Sequence, residues 1–316
     1  MNHKTYLLGV LIATLILATL FKLSLTNSVG CDAFGARAGK FMAYCDVTTH
    51  GHYDHAAYLF NLEEGLVNHV RQANLLFLGS SRLQFAFSTA ALTDFVSHHP
   101  MVRPYLLGFG HTEQDVFSAA VLDQIKPIPA LVVINADPFF GQVASPHAKQ
   151  LLKERGTEEF NARIKKFWHQ ISETACGGQL FIVGHLICGT HSTTYRSVQD
   201  GRWIFPKLPS VALPVSEHIR ASSDDADIIT FAANAEAFLS RLPIDRRCIV
   251  LTFIPTGEGK PFIAQGIAAR LGTQFIAPQL TSLTTFDGSH LDTASSERWS
   301  KAFLAELEPI LASCLH

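Results

Sequence analysis

Three short runs constrain this chain most: Leu75-Leu76-Phe77-Leu78, Ala130-Leu131-Val132-Val133-Ile134 and Cys248-Ile249-Val250-Leu251-Thr252-Phe253-Ile254. They are apolar almost continuously rather than alternately, the pattern of strands buried on both faces. Helix-length segments separate them. Thr89–Phe95 falls in the first, Glu113–Ile125 is a second, and His147–Glu173 is helical and polar outside. Ala226–Leu242, Pro261–Leu271 and an amphipathic Ala294–Leu311 follow. Val102–Leu107 reads as a further strand, at an edge because Pro104 lacks a ladder N–H. Thr273–Ala277 is a short strand, and Leu180–Val183 fits strand or helix. Strands alternating with helices predict an α/β fold whose parallel sheet is covered on both faces.

Three segments lie outside this alternation. Tyr6 to Phe21 carries no charge, and Lys22 can snorkel to an interface, so Tyr6–Leu25 reads as a single transmembrane anchor. A cleaved signal peptide is the alternative, though no Ala-x-Ala-like site follows; Ser28-Val29-Gly30-Cys31 resembles a lipoprotein site but lacks the Leu three before Cys. Residues 26–73 read as linker and N-terminal extension, with Ala56–Gln72 helical. From 74 to 316 no boundary is evident. Thr190–Ser222 is irregular, with Asp200-Gly201 as a turn and Pro206, Pro209 and Pro214 blocking regular structure; its length suggests a lid or rim.

Composition narrows the function. A net charge of −2 gives no footprint for nucleic acid. Six Cys in 316 residues are no disulfide scaffold but allow pairing, Cys31 with Cys45 and Cys176 with Cys188, with Cys248 expected as a free buried thiol. Such pairs place the body outside the cytoplasm, although Lys22, Arg37 and Lys40 after the span do not favour export.

His50-Gly51-His52-Tyr53-Asp54-His55 resembles the His-x-His-x-Asp-His of metallo-β-lactamase-type zinc hydrolases, with Gly110-His111, Asp137 and Gly184-His185 in order for further ligands. Three features oppose it. Too little chain precedes His50 for that fold, residues 42–49 make a poor strand, and two other motifs are left without a role. The plainer reading is a polar loop entering the helix Ala56–Gln72, and a histidine-lined rim to the active site is the third.

Those motifs are Gly79-Ser80-Ser81-Arg82, breaking the first strand, and Asp287-Gly288-Ser289-His290, ahead of the last helix. In a parallel sheet, sites form at the carboxyl ends of the strands. Ser81 is there a candidate nucleophile, His290 its base and Asp287 the group that orients the base. The Ser81 N–H, the Gly110 N–H and the Asn135 side chain are candidate oxyanion donors. Arg82 is a candidate contact for an anionic substrate group; its plainer role is in the first turn of its own helix. The plainer reading of the serines is a helix cap, and of Asp287/His290 a polar capping loop.

The set resembles the SGNH (GDSL-type) hydrolase superfamily, which carries a Gly-Asp-Ser, a Gly, an Asn and a terminal Asp-x-x-His. Here these are Gly79-Ser80-Ser81, Gly110 (or Gly108), Asn135 and Asp287-Gly288-Ser289-His290. The family's Gly-x-Asn-Asp is Ile134-Asn135-Ala136-Asp137 in this chain. Leu78-Gly79-Ser80-Ser81-Arg82 looks like a membrane-anchored, envelope-facing branch that includes the alginate O-acetylation and teichoic-acid D-alanylation factors. The resemblance implies a three-layer α/β/α flavodoxin-like sheet and a cofactor-free Ser–His–Asp esterase or O-acyltransferase. It further implies a body on the periplasmic side of the inner membrane, an acyl-ester substrate on an envelope glycan, and a membrane-bound O-acyltransferase as partner. A catalytically silent glycan-binding or scaffold member of the same fold is the alternative.

Overall fold

A computed structural model describes residues 3–25, 41–44, 52–110, 113–174, 194–204, 212–215, 225–257 and 259–315. The chain runs α1 (His3–Leu25), β1 (Phe41–Tyr44), α2 (His52–Phe60), α3 (Leu66–Gln72), β2 (Leu75–Ser80), α4 (Ser81–Ala86), α5 (Thr89–His98) and β3 (Pro104–Phe109). It continues through α6 (Asp115–Ile125), β4 (Leu131–Asn135), α7 (Pro146–Lys153), α8 (Arg155–Thr174), β5 (Thr194–Ser197), β6 (Trp203–Ile204) and β7 (Leu213–Pro214). Last come α9 (Asp225–Leu239), β8 (Ile249–Thr252), α10 (Pro261–Leu271), β9 (Gln274–Ile276), β10 (Thr284–Thr285) and α11 (Thr293–Cys314).

Five strands form one parallel sheet in the order β3-β2-β4-β8-β9. Counted by first appearance this is 2-1-3-4-5, a doubly wound order, whose ligand crevice lies at the carboxyl ends of the first and third strands. Those strands are β2 and β4. Leu76, Leu78, Val132 and Ile134 face a core shared with α2, α3, α6, α9 and α10. Leu75, Phe77, Val133 and Val250 face Leu83, Trp299, Phe303 and Leu307 of α4 and α11. Because both faces are covered, the strand sequences are apolar throughout instead of alternating. Pro104 opens β3 at the sheet edge, where its missing N–H leaves no ladder bond unmade.

Several expectations change. Residues 52–72 are not an extension: Tyr58, Leu59, Leu66 and Val70 are fully or almost fully buried in the first core. The single helix expected there is two, broken ahead of Gly65 at φ +79°. The helix after Ser81 also divides, because Ser88 caps a new one by accepting from Ala91 N at 3.0 Å. The described part of 190–222, expected to be irregular, contains three short strands. β5 pairs antiparallel with β1 and β6, and β7 pairs with β10. Cys248 is not a free thiol but is bonded to Cys314, 66 residues away, tying the end of α11 to the start of β8. Loop-closure entropy for a crosslink of that span is about 4 kcal/mol. Pairings of Cys31, Cys45, Cys176 and Cys188 lie outside the described residues, as does Leu180–Val183.

The first helix forms over 23 residues. Among the described residues no helix is long and apolar enough to cross a membrane, so the expected span over Tyr6–Leu25 gains no support from them; the side chains of 18–25 lie outside that set.

Candidate functional site

Ser81 is the first residue after β2, where the strand breaks into α4. Its neighbour Ser80 is the helix cap, accepting from Arg82 N at 3.3 Å, so the Ser81 hydroxyl is left for another partner. Gly79 makes the crowding at this strand end possible: a Cβ there would sit 3.1 Å from Leu83 Cβ and 3.2 Å from Asn135 Cβ.

The partner comes from 209 residues away. Ser81 Oγ donates to His290 Nε2 at 2.8 Å, and His290 Nδ1 donates to Asp287 Oδ2 at 2.7 Å. The other Asp287 oxygen accepts from Ser289 N at 2.9 Å and His290 N at 2.8 Å. Gly288, at φ +84°, turns the chain so that residues three apart face each other. The loop is anchored on both sides. Gly288 N donates to Thr285 Oγ1, Thr285 Oγ1 donates to the Leu213 carbonyl of β7, and Gly257 N donates to the Gly288 carbonyl.

Electrostatics favour a neutral imidazole. Burial pulls the His290 pKa below its usual 6.5; Asp287 opposes this and the Arg82 charge adds to it. Burial works to raise the Asp287 carboxyl, but the His290 ring and the two backbone N–H groups outweigh it and hold it below the usual carboxylate range. A neutral His with Nδ1–H directed at a carboxylate presents Nε2 as the acceptor a hydroxyl nucleophile requires.

Asn135 ends β4 and is 1% exposed. Its Oδ1 accepts from Ile254 N at 3.3 Å and its Nδ2 donates to the Asp137 carbonyl at 3.2 Å, so it braces the loops after β4 and β8. Gly108 lies inside β3 opposite Gly79, and its carbonyl accepts from Gln84 Nε2. Gly110 is the first residue beyond that strand. Arg82 Nη1 donates to Asp137 Oδ2 at 2.7 Å, and both side chains are about one-fifth exposed. Burial raises the Asp137 pKa, with Arg82 and Lys260 opposing.

The histidine-rich segment has a different use. Asp54 and His55, on α2, are fully buried in an ion network. Asp54 Oδ2 accepts from Arg196 Nη1 at 2.6 Å; His55 Nδ1 lies 3.0 Å from Asp54 Oδ1, and its Nε2 lies 3.3 Å from Glu113 Oε1. Burial alone would lower the His55 pKa, but hydrogen bonds to Asp54 and Glu113 overcome it and push it up to about 9. Asp54 thus neutralises a guanidinium, and His55 lies between two carboxylates. The His50, His111 and His185 positions and the His52 side chain lie outside the described residues. Among the described residues no group of three or more His, Cys, Asp or Glu is placed to hold a metal ion.

Sequence reasoning missed the aromatic surroundings. Phe85 lies 4.7 Å from the His290 ring and Phe286 stacks on it at 5.6 Å, 14° from parallel. Phe85, one helical turn beyond Ser81, was open to a helical-spacing argument. Trp203, beyond the insertion's turn, carried no local signal. Compared with known protein families, curated proteins and solved structures, the chain matches none of them.

Proposed function

We propose that this chain is a membrane-anchored serine esterase or O-acyltransferase of SGNH type, acting on acyl esters of an envelope glycan. The observation that carries this is the unbroken hydrogen-bonded series from Ser81 through His290 to Asp287, at the crevice between β2 and β4. In the first half-reaction Ser81 Oγ attacks the acyl carbonyl carbon while its proton moves to His290 Nε2. Asp287 balances the imidazolium that forms. The oxyanion is met by the Ser81 and Gly110 N–H groups and by the second N–H of the Asn135 amide, whose first is bonded to the Asp137 carbonyl. Collapse expels the alkoxide, which takes the proton back from His290 and leaves an acyl-serine. Water or a sugar hydroxyl then repeats the sequence in reverse, and exclusion of water decides between hydrolysis and transfer.

A fluorophosphonate probe should label Ser81, and should fail to label the His290→Ala protein. Because only neutral His290 accepts the proton, the labelling rate should rise with pH along an acid limb whose midpoint lies below 6.5. Absence of labelling in the unsubstituted protein would leave a catalytically silent binding or scaffold role.

The anchor reading rests on the sequence: Tyr6 to Phe21 carries no charge, and Lys22 can snorkel to an interface. The Cys248–Cys314 bond fits an oxidising compartment. The full chain should stay with membranes through alkaline carbonate and leave them only in detergent; release by carbonate would remove the anchor.

A further inference from the structure

One side of the crevice is closed by a hairpin that the serine chemistry does not use. β5 and β6 are joined by the Asp200-Gly201 turn, and Trp203 opens β6. The hairpin is clamped to the edge of the sheet. Leu106 N of β3 donates to the Asp200 carbonyl at 2.8 Å. Gln84 Nε2 donates at 3.1 Å to both the Gly201 and Gly108 carbonyls, while Gln84 Oε1 accepts from Trp203 N at 3.1 Å. Arg196 Nε and Nη2 donate at 3.0 Å to the Gly201 and Leu106 carbonyls. A segment held by this many buried donors is a fixed wall.

Trp203 projects from that wall onto the site. A Cβ on Gly110 would lie 3.1 Å from Trp203 Cη2, so the edge of the indole rests on the Gly110 backbone. The Trp203 ring meets Phe85 edge-on at 6.1 Å, and Phe85 in turn lies 4.7 Å from His290. Phe85, Trp203 and Phe286 are all half-buried, so each keeps surface for a ligand. Resting on the serine reading above, we propose that Trp203 is the residue that sets the acyl-chain length. It limits the substrate to short acyl esters of about two to four carbons, because a carbonyl held at Gly110 shares its space with the indole edge. The limit is rigid: Gln84 and Arg196 fix the backbone from which the ring extends.

The test compares p-nitrophenyl acetate, butyrate and octanoate on the full chain and on Trp203→Ala and Trp203→Phe, with thermal unfolding followed for each. The unsubstituted protein should favour acetate and butyrate. Trp203→Ala should raise the octanoate-to-acetate ratio of kcat/KM at least tenfold, since a single methylene in a fitted apolar pocket changes kcat/KM by about ten-fold or more. Trp203→Phe should fall between, and serves if the Ala variant does not fold. An unchanged ratio in a folded variant overturns the proposal. So does a change seen only when the alcohol is varied at constant acetyl, which would put the ring on the leaving-group side. Failure of the serine reading looks different: the unsubstituted protein would turn over no ester in a Ser81-dependent way, and both would fall together.

Discussion

Ser81→Ala should remove the proposed ester turnover and leave the protein folded. The expected loss in kcat is at least about 10,000-fold, because nucleophile and base act as one unit and no other described hydroxyl bonds His290 Nε2. The residue left behind would be the catalysis that binding and oxyanion donors supply alone. The fold should survive for a specific reason. The α4 cap is Ser80, whose Oγ accepts from Arg82 N, and the Ser81 hydroxyl takes no part in it. The neighbouring substitution therefore separates the two roles. Ser80→Ala should cost about 1 kcal/mol of stability while keeping most of the turnover. Hydrolysis of p-nitrophenyl acetate, measured beside thermal unfolding, reads both. Turnover in Ser81→Ala within tenfold of the unsubstituted protein would remove Ser81 from the mechanism.

Arg196→Ala should give the largest loss of stability. The guanidinium is 0% exposed and joins three parts of the chain: Asp54 of α2, the Leu106 carbonyl of β3 and the Gly201 carbonyl of its own hairpin. It also lies 4.5 Å over the Tyr58 ring and 4.9 Å over Phe109. Removing one member of a buried pair leaves the other charge desolvated, at about 3–5 kcal/mol, or a fall in Tm of roughly 6–15 °C. Arg196→Lys should recover little, since an ammonium cannot reach three acceptors in one plane. A Tm unchanged within about 2 °C would show that the network is not structural. The same cluster makes stability depend on pH. His55, flanked by Asp54 and Glu113 with the His147 ring at 6.0 Å, has a folded pKa of about 9 against an unfolded 6.5. Its contribution is complete below 6.5 and is lost as pH rises through 9. Asp54, held below its ordinary value of 3.8, contributes above that value and loses its share as pH falls through its folded pKa. The Tm should therefore decline on the alkaline side between pH 6.5 and 9.

The local grammar of the chain carried far. The unbroken apolar runs of β2, β4 and β8 announced strands covered on both faces, and Pro104 announced an edge. The rule that sites gather at strand carboxyl ends singled out Ser81, Asp287 and His290, and these three are adjacent in the fold. Finer breaks were harder to read: Ser88 starting a new helix, and the chain between α2 and α3 turning before Gly65.

What the sequence determined by itself is what periodicity and residue chemistry encode over a few neighbours: which segments are strands or helices, and which side chains can serve as nucleophile, base and orienter. Tertiary structure alone decided which distant groups share a site. It gave Asp54 an arginine 142 residues on, joined Cys248 to Cys314, and laid Trp203 on Gly110. The reason is physical. Secondary structure follows from steric preferences and burial patterns repeated every two or 3.6 residues. The partner of a buried charge, a thiol or an indole edge is set by how strands are ordered and how loops return, and no local spacing records that.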